Sequence, residues 1–182
     1  PYRRQRQMCI RDRQEGKLKK NTAVVTVMTN LGFFHFAKAN QIATKATKVG
    51  DRYVLEEMLS GGYNIGGEQS GHIIFLDEAT TGDGELSGIK LLEILKKSGK
   101  KMSELNGIYA QYPQVLVNVT ANAAQKKAYK EDEVLAGFIE NEQQKLMGMG
   151  RVLVRVSGTE PKIRVMVEGE DMEAIQSSAE RI

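Results

Sequence analysis

Hydrophobic and polar residues alternate with two different periods along this chain of 182 residues. Over the first hundred positions, short runs rich in β-branched residues are separated by stretches in which apolar residues recur every three or four positions. The runs are typical of buried strands, and the stretches of amphipathic helices. The predicted strands are 23–28, 42–49, 63–67 and 72–76, and the predicted helices are 31–39, 50–60 and 85–97. Strands and helices that alternate in this way predict an α/β layer with a partly parallel sheet.

The second half of the chain has its elements in a different order. The predicted elements are a strand at 115–119, a helix at 131–147, strands at 152–156 and 163–167, and a last helix that Asp171 caps. Strand, helix, hairpin and helix fit a small α+β domain in which helices cover a mainly antiparallel sheet. A charged, glycine-containing connection at 98–107 separates the two halves. We therefore predict a mixed α/β/α domain at 21–106 and an α+β domain at 107–182.

The first twenty residues differ from the rest in charge. Residues 1–13 contain five arginines and one aspartate, so the remaining chain has a formal net charge of −1, although the whole chain has +3. Such a basic segment is compatible with an arm that binds nucleic acid. A second interpretation is that residues 5–12 are foreign to the protein, because they resemble a translated sequencing adapter. We favour the second, since no groove-reading motif follows. We expect residues 1–20 to be a disordered tail and linker, and we predict no nucleic-acid partner.

Composition excludes several other classes of protein. No apolar run approaches the roughly 20 residues that cross a membrane. The single cysteine, Cys9, leaves no intrachain disulfide and fits a reducing compartment, which predicts the cytoplasm. The sequence has no paired His or Cys residues at metal-ligand spacing, no cluster of aspartates and no G-x-x-x-x-G-K loop. We therefore predict no membrane partner, and no metal site within these residues.

A tight turn between the last two predicted strands has the residue types of a phosphate-binding loop. Its sequence from 155 to 161 is Arg-Val-Ser-Gly-Thr-Glu-Pro, and a second arginine follows at 164. Glycine permits a positive φ and close approach of a ligand to the backbone. Two hydroxyls and the turn's N–H groups are donors for an anion, and two arginines can fork onto phosphate oxygens. The candidate phosphate ligands are Arg155, Ser157, Gly158, Thr159 and Arg164. The alternative is an ordinary hairpin turn with no ligand.

A second polar loop lies between the first domain's last two predicted strands. Its sequence from 66 to 72 is Gly-Gly-Glu-Gln-Ser-Gly-His. A carboxylate beside a hydroxyl suits the vicinal hydroxyls of a sugar, which makes Glu68 and Ser70 candidate ligands, and the imidazole of His72 is a candidate to move protons. Arg52 lies at the start of a predicted helix, where anions are favoured. The structural alternatives, a loop glutamate with a capping serine and an exposed arginine, stay open.

These two loops, in this order, resemble the loops of the α-D-phosphohexomutase family. Two further blocks, Lys-Val-Gly-Asp-Arg-Tyr-Val at 48–54 and Gly-Asp-Gly at 82–84, are similar to bacterial members that act on amino sugars. The resemblance covers about residues 16–182. One departure is Val156, where the family usually has proline, and it loosens one backbone constraint.

The resemblance implies that this chain corresponds to the third, sugar-recognising domain and the fourth, phosphate-binding domain of a four-domain enzyme. It implies that Glu68 and Ser70 bind sugar hydroxyls. It also implies that Arg52 and His72 line the cleft, with His72 as an acid/base helper, and that the turn after Arg155 holds the phosphate that is not reacting. The activity implied for the intact enzyme is interconversion of glucosamine 6-phosphate and glucosamine 1-phosphate through a hexosamine 1,6-bisphosphate.

The resemblance also implies what these residues lack. In the family, a phosphorylated serine belongs to the first domain and an aspartate loop that binds Mg²⁺ belongs to the second, and neither motif is in this sequence. We therefore expect a substrate-binding C-terminal fragment without mutase turnover of its own. Its expected partners are a phosphosugar and the two N-terminal domains. The alternative is a stand-alone phosphosugar-binding module.

Overall fold

The computed structural model of the chain describes residues 2–106, 111–146 and 148–182. The chain divides into two units, Pro1–Gln111 and Tyr112–Ile182. The boundary predicted from the sequence, between 106 and 107, borders residues 107–110, which lie outside the described residues.

Among the described residues, the first unit contains a four-stranded sheet with helices on both faces. Its strands are β1 (Thr22–Thr26), β2 (Ala43–Thr47), β3 (Ile65–Gly67) and β4 (Ile73–Phe75), and its helices are α1 (Tyr2–Gln14), α2 (Leu31–Ala39), α3 (Asp51–Gly61), α4 (Gly84–Ser98) and α5 (Met102–Asn106). The strand order is β2-β1-β3-β4. β1 is parallel to β2 and β3, and β4 is antiparallel to β3. The predicted mixed, partly parallel sheet is confirmed.

The β-branched run of β1 is buried along its whole length because helices cover both of its faces. Val25 belongs to an apolar cluster with Phe33 of α2 and Leu91 of α4. Val24 belongs to a different cluster with Val54 of α3. Since successive side chains of a strand face opposite sides of the sheet, α2 and α4 cover one face and α3 covers the other. These are the layers of the predicted α/β/α domain.

The N-terminal segment is helical, which corrects the expectation of a disordered end. Met8 and Cys9 of α1 are fully buried in the apolar cluster beneath α2 and α4. Arg11 forms an ion pair with Glu93 of α4 at 3.0 Å. The arginines dominate the charge pattern of this segment, but the apolar residues between them decide its packing. α1 is therefore part of the core of the first unit.

In its described part, the second unit contains a three-stranded sheet and three helices. Its elements are β5 (Gln114–Thr120), α6 (Ala123–Glu131), α7 (Glu133–Lys145), β6 (Gly150–Val156), β7 (Lys162–Gly169) and α8 (Met172–Arg181). The strand order is β5-β7-β6, and both pairings are antiparallel. Val115, Val165 and Val167 on one face pack against Ile175 and Ala179 of α8. The predicted α+β arrangement is confirmed.

The helix predicted at 131–147 is α7, and a separate helix, α6, precedes it. A capping box formed by Asn122 and Gln125 begins α6. The carboxylate of Asp132 begins α7 by accepting the N–H of Leu135 at 2.9 Å. The sequence did not reveal α6 because its nine residues, AAQKKAYKE, contain no strong apolar stripe. Met147, the last residue of the predicted helix, lies outside the described residues.

Candidate functional site

The hairpin of β6 and β7 places two arginines side by side near its turn. Arg155 and Arg164 are directly opposed in the register of the two strands. Like charges in this position repel one another, and burial together with the charge of Arg164 lowers the pKa of Arg155. The Nε atoms of both guanidinium groups are buried, and neither has a hydrogen-bond partner among the described residues. An anion such as phosphate would stabilise two cations with unused donors.

One carboxylate, Glu160, partly neutralises this basic cluster. Glu160 forms ion pairs with Lys162, at 2.9 Å, and with Arg164. These contacts, above all the hydrogen bond from Lys162, lower the pKa of Glu160. Arg155 has no ion pair with any residue that the structure describes. The turn therefore keeps an excess of positive charge.

The backbone of the turn is closed by a small number of hydrogen bonds. The N–H of Ser157 donates to the carbonyl of Lys162 at 2.9 Å. The buried Oγ of Ser157 accepts the N–H of Glu160 at 3.1 Å. Gly158 and Thr159 are exposed, and their N–H groups donate to no residue in the described ranges. Those two donors are available to a ligand.

The turn does not use the positive φ that glycine permits at position 158. Gly158 does not belong to the glycines with positive φ, so its backbone conformation is open to other residues. A Cβ at Gly158 would meet no atom within 4 Å. The fold of this chain therefore does not require glycine at 158. The missing side chain leaves open space beside the N–H groups of the turn.

One contributor to the turn, Lys126 of α6, has no recognisable signal in the sequence. Its Nζ donates hydrogen bonds to the backbone carbonyls of Ser157, at 2.8 Å, and of Glu160. Lys126 precedes Ser157 by 31 positions, and no motif connects the two. Only the tertiary structure brings this ammonium group to the turn.

In the first unit, Glu68 ties the loop between β3 and β4 to the start of α3. The side chain of Glu68 is 10% exposed, and its Oε1 accepts the N–H of Gly50 at 2.7 Å. Gly50 has a φ of 132°, which only glycine adopts readily. The second oxygen, Oε2, lies 4.0 Å from Nδ1 of His72. Glu68 thus has a structural role, and one carboxylate oxygen remains for the predicted sugar contact.

Ser70 and His72 lie next to each other on the same loop. The Oγ of Ser70 is 3.3 Å from Nδ1 of His72, and both residues are exposed. The imidazole also borders the Gly-Asp-Gly block at 82–84, because a Cβ at Gly82 would lie 3.1 Å from Cδ2 of His72. The structure therefore brings Glu68, Ser70 and His72 into one polar cluster.

Within the part of the chain that the structure describes, Arg52 forms no hydrogen bond or ion pair with that cluster. Its side chain is 83% exposed, and its Nε donates to Oε1 of Glu56 at 2.7 Å. The hydrogen bond that Arg52 donates to Glu56 raises the pKa of Arg52. An exposed ion pair one helical turn apart is weak, so a ligand anion can replace Glu56 at this guanidinium group.

Two kinds of feature are absent from the described residues. They contain no group of three or more His, Cys, Asp or Glu side chains that could hold a metal ion. The magnesium ion that the family resemblance implies therefore has no fitting ligand set in the described part of this chain. None of the described helices is long and apolar enough to cross a membrane.

Fold and site together define a class: a two-unit protein with an α/β/α unit that carries a polar loop and an α+β unit that carries a basic hairpin turn. Two family profiles match the chain. "Phosphoglucomutase/phosphomannomutase, alpha/beta/alpha domain III" matches residues 7–112, and "Phosphoglucomutase/phosphomannomutase, C-terminal domain" matches residues 116–182. The chain belongs to the phosphoglucomutase/phosphomannomutase family. The first match begins within residues 1–20, which the sequence pattern had placed outside the family region.

Several similar proteins have the names of mutases for phosphorylated amino sugars. Phosphoglucosamine mutase of Caldicellulosiruptor saccharolyticus is 56% identical over 170 residues, which are 93% of this chain and 38% of the relative. A structure of Aspergillus fumigatus N-acetylphosphoglucosamine mutase has a TM-score of 0.80 at 21% identity and covers 98% of this chain and 42% of its own. The same fungal mutase in complex with GlcNAc-6P and magnesium has a TM-score of 0.77 at 20% identity. That match covers 98% of this chain and 42% of the fungal chain. The chain thus spans about two fifths of the length of the proteins it matches.

Proposed function

We propose that this chain is the substrate-binding part of a phosphoglucosamine mutase, an isomerase that interconverts glucosamine 6-phosphate and glucosamine 1-phosphate through a hexosamine 1,6-bisphosphate. The observation that carries the proposal is the opposed pair Arg155 and Arg164, whose buried Nε donors have no partner among the described residues. The 56% identity to a phosphoglucosamine mutase supports an amino-sugar phosphate as substrate. The complex of the fungal neighbour with GlcNAc-6P supports a phosphorylated hexosamine as ligand.

In this proposal, the turn at 157–161 binds the phosphate group that does not react. Arg155 and Arg164 donate to its oxygens, and the exposed N–H groups of Gly158 and Thr159 add neutral donors. Ser157 keeps the turn closed through its buried hydroxyl oxygen. These donors recognise a phosphate group whatever carbon it is attached to, so one turn accepts both substrate and product.

The polar loop of the first unit binds the sugar hydroxyls. Oε2 of Glu68 accepts a hydrogen bond from a sugar hydroxyl, while Oε1 continues to accept the N–H of Gly50. Ser70 and His72 contribute an exposed hydroxyl and an imidazole 3.3 Å apart, which suits His72 as an acid/base helper. Arg52 exchanges its weak contact with Glu56 for an anionic group of the ligand.

The transfer step itself needs groups that this chain does not provide. Phosphoryl transfer depends largely on positioning and on neutralising charge through metal ions and basic residues. The described residues hold no ligand set for a metal ion. We assign the magnesium site and the phosphorylated serine to the other three fifths of the whole enzyme. We place that enzyme in the cytoplasm, without nucleic-acid or membrane partners.

A mutase assay tests the proposal. The purified 182-residue chain should not convert glucosamine 6-phosphate to glucosamine 1-phosphate. The same residues, joined to the N-terminal part of the Caldicellulosiruptor relative, should restore turnover, and Arg155→Ala in that chimera should lower kcat/KM at least about tenfold. Turnover by the chain alone, or an Arg155→Ala chimera as active as the parent, would contradict the proposal.

A further inference from the structure

Among the described residues, Lys126 is the one side chain outside the hairpin that donates to two carbonyls of its turn. Its Nζ donates to the carbonyl oxygens of Ser157, at 2.8 Å, and of Glu160. Lys126 lies on α6, directly after the capping box, and its own N–H donates to the carbonyl of Asn122 at 2.9 Å. The side chain is only partly exposed. An ammonium group from a fixed helix thus holds the turn from one side.

This contact fixes the direction of a peptide group that the proposed phosphate site uses. The carbonyl of Ser157 and the N–H of Gly158 belong to the same planar trans peptide, so they point in opposite directions. Because the Ser157 carbonyl points toward Nζ of Lys126, the N–H of Gly158 points away from it. That N–H donates to none of the described residues. Lys126 therefore keeps this donor turned outward.

The second carbonyl that Lys126 binds supports the same conclusion. The carbonyl of Glu160 shares its peptide group with Pro161, which has no N–H. The hydrogen bond from Lys126 to the Glu160 carbonyl therefore leaves the N–H donors of the turn unaffected. A hydrogen bond to a charged group is worth about twice a neutral one. Lys126 accordingly stabilises the turn in the conformation that exposes its donors, and its charge adds to that of Arg155 and Arg164.

We propose that Lys126 is a positioning residue for phosphate binding: it does not touch the phosphate group but aims the N–H of Gly158 at it. This inference rests on the proposed function of the turn. It goes beyond that function because it assigns a role to a residue of α6, far from either loop in sequence.

The test is a titration of the purified chain with inorganic phosphate and with glucosamine 6-phosphate, followed by the backbone amide signals of Gly158 and Thr159 in ¹H–¹⁵N spectra. Lys126→Met removes the ammonium group but keeps most of the side-chain length. Lys127→Met, at an exposed neighbouring position on α6, makes the same change in charge and is the matched control. Lys126→Arg retains a cationic donor.

We expect both amide signals to shift in the parent chain. Lys126→Met should weaken binding of both ligands about tenfold or more and reduce the limiting shift of the Gly158 amide, whereas Lys127→Met should stay within about twofold and Lys126→Arg should recover most of the affinity. A role in overall stability alone would leave the limiting Gly158 shift of the folded protein unchanged. If Lys126→Met does not fold, Lys126→Gln replaces it with the same expectation.

Binding by Lys126→Met, or its replacement, that equals binding by Lys127→Met overturns the inference. If Arg155→Ala still weakens binding in that case, the proposed phosphate site stands and only the role of Lys126 fails. If Arg155→Ala also leaves binding unchanged, or the parent chain shows no shift at either amide, both proposals fail.

Discussion

Single residues in the hairpin turn have separable roles. Ser157 is buried, and its hydroxyl oxygen accepts the N–H of Glu160. Gly158 has an ordinary φ, open space where a Cβ would lie, and an N–H without a described partner. We therefore expect a change at 157 to affect folding and the proposed phosphate binding together, and a change at 158 to affect mainly the proposed binding.

Gly158→Ala should separate stability from ligand affinity. Because the added Cβ meets no atom within 4 Å, we expect the free energy of unfolding to stay constant or to rise by at most about 1 kcal/mol. The affinity for glucosamine 6-phosphate should fall about tenfold, since the methyl group occupies space beside the donors that we propose to bind phosphate. Urea denaturation and calorimetric titration measure the two quantities.

Gly137→Ala is the matched control for that variant. Gly137 lies within α7 of the same unit, and a Cβ there also meets nothing. This change should raise the free energy of unfolding by roughly 1 kcal/mol through helix propensity and leave affinity unaltered. If the Gly158→Ala and Gly137→Ala chains have equal affinities for glucosamine 6-phosphate, the result contradicts a role of Gly158 in phosphate binding.

Part of the site could be predicted from the sequence because its residues lie close together along the chain. Arg155 and Arg164 fall within ten residues, and alternating strands on either side of a turn predict that they share a face. The hydrogen bond from Gly50 to Glu68 joins residues 18 positions apart, and that from Lys126 to Ser157 joins residues 31 apart. Such contacts depend on how elements pack, which no local pattern encodes.

At the scale of elements, a buried carboxylate joins α7 to α8. Glu142 of α7 is fully buried. It accepts hydrogen bonds from Ser178 and Arg181 of α8 and from Lys145, all at 2.6 Å. The hydrogen bond from Arg181 is the largest cause that lowers the pKa of Glu142 to about 2. The ionised form is therefore the one that the folded state favours.

Glu142→Gln should lower stability in a pH-dependent way. The pKa of Glu142 is about 2 in the folded state and takes its ordinary value of 4.5 when unfolded. Its stabilising contribution is thus present above about pH 4.5 and is lost as the pH falls toward 2. At pH 7 the variant should lose about 1.5–3 kcal/mol of unfolding free energy. That loss should shrink between pH 4.5 and 2.

Glu140→Gln provides the comparison, because Glu140 is exposed on the same helix. In urea denaturation, Glu140→Gln should change the free energy of unfolding little at any pH. A loss in Glu142→Gln that stays constant from neutral to acid pH would show that the ionised carboxylate does not stabilise the α7–α8 contact.

Helix α1 can be tested through its cysteine. Burial is the largest cause that raises the pKa of the Cys9 thiol far above its ordinary value, and the charge of Asp12 adds to it. Since the thiolate is the reactive form, iodoacetamide at pH 8 should leave Cys9 unmodified in the native chain and modify it fully in urea. Mass spectrometry measures the extent. If Cys9 in the native chain is labelled as fast as in an unfolded peptide, the result contradicts the burial of α1 and supports a disordered N-terminal end.

The elements that were predicted have strong local signals, and those that were missed do not. β1 is a run rich in β-branched residues, and α4 has an N-terminal cap, Asp83, whose side chain accepts the N–H of Leu86. α1 is rich in arginine and α6 in lysine, so their apolar residues are too few to give a clear helical stripe. Packing of Met8 and Cys9 into the core of the first unit compensates for the weak pattern of α1, and a capping box begins α6.

At the scale of the whole molecule, the two candidate ligand-binding elements belong to different units of one chain. The polar loop around Glu68 belongs to the first unit and the turn after Arg155 to the second. Each unit has its own apolar core. We therefore expect affinity for a phosphosugar to contain a sugar contribution and a phosphate contribution that separate variants reduce independently.

The most direct measurement of the central claim is a calorimetric titration of the parent chain and of Arg155→Ala with glucosamine 6-phosphate, inorganic phosphate and unphosphorylated glucosamine. Arg155→Ala should weaken binding of both phosphate-containing ligands by about 1.5–3 kcal/mol and leave binding of glucosamine unchanged. Equal losses for glucosamine and glucosamine 6-phosphate, or no loss for either, would contradict a phosphate-binding role of the hairpin turn.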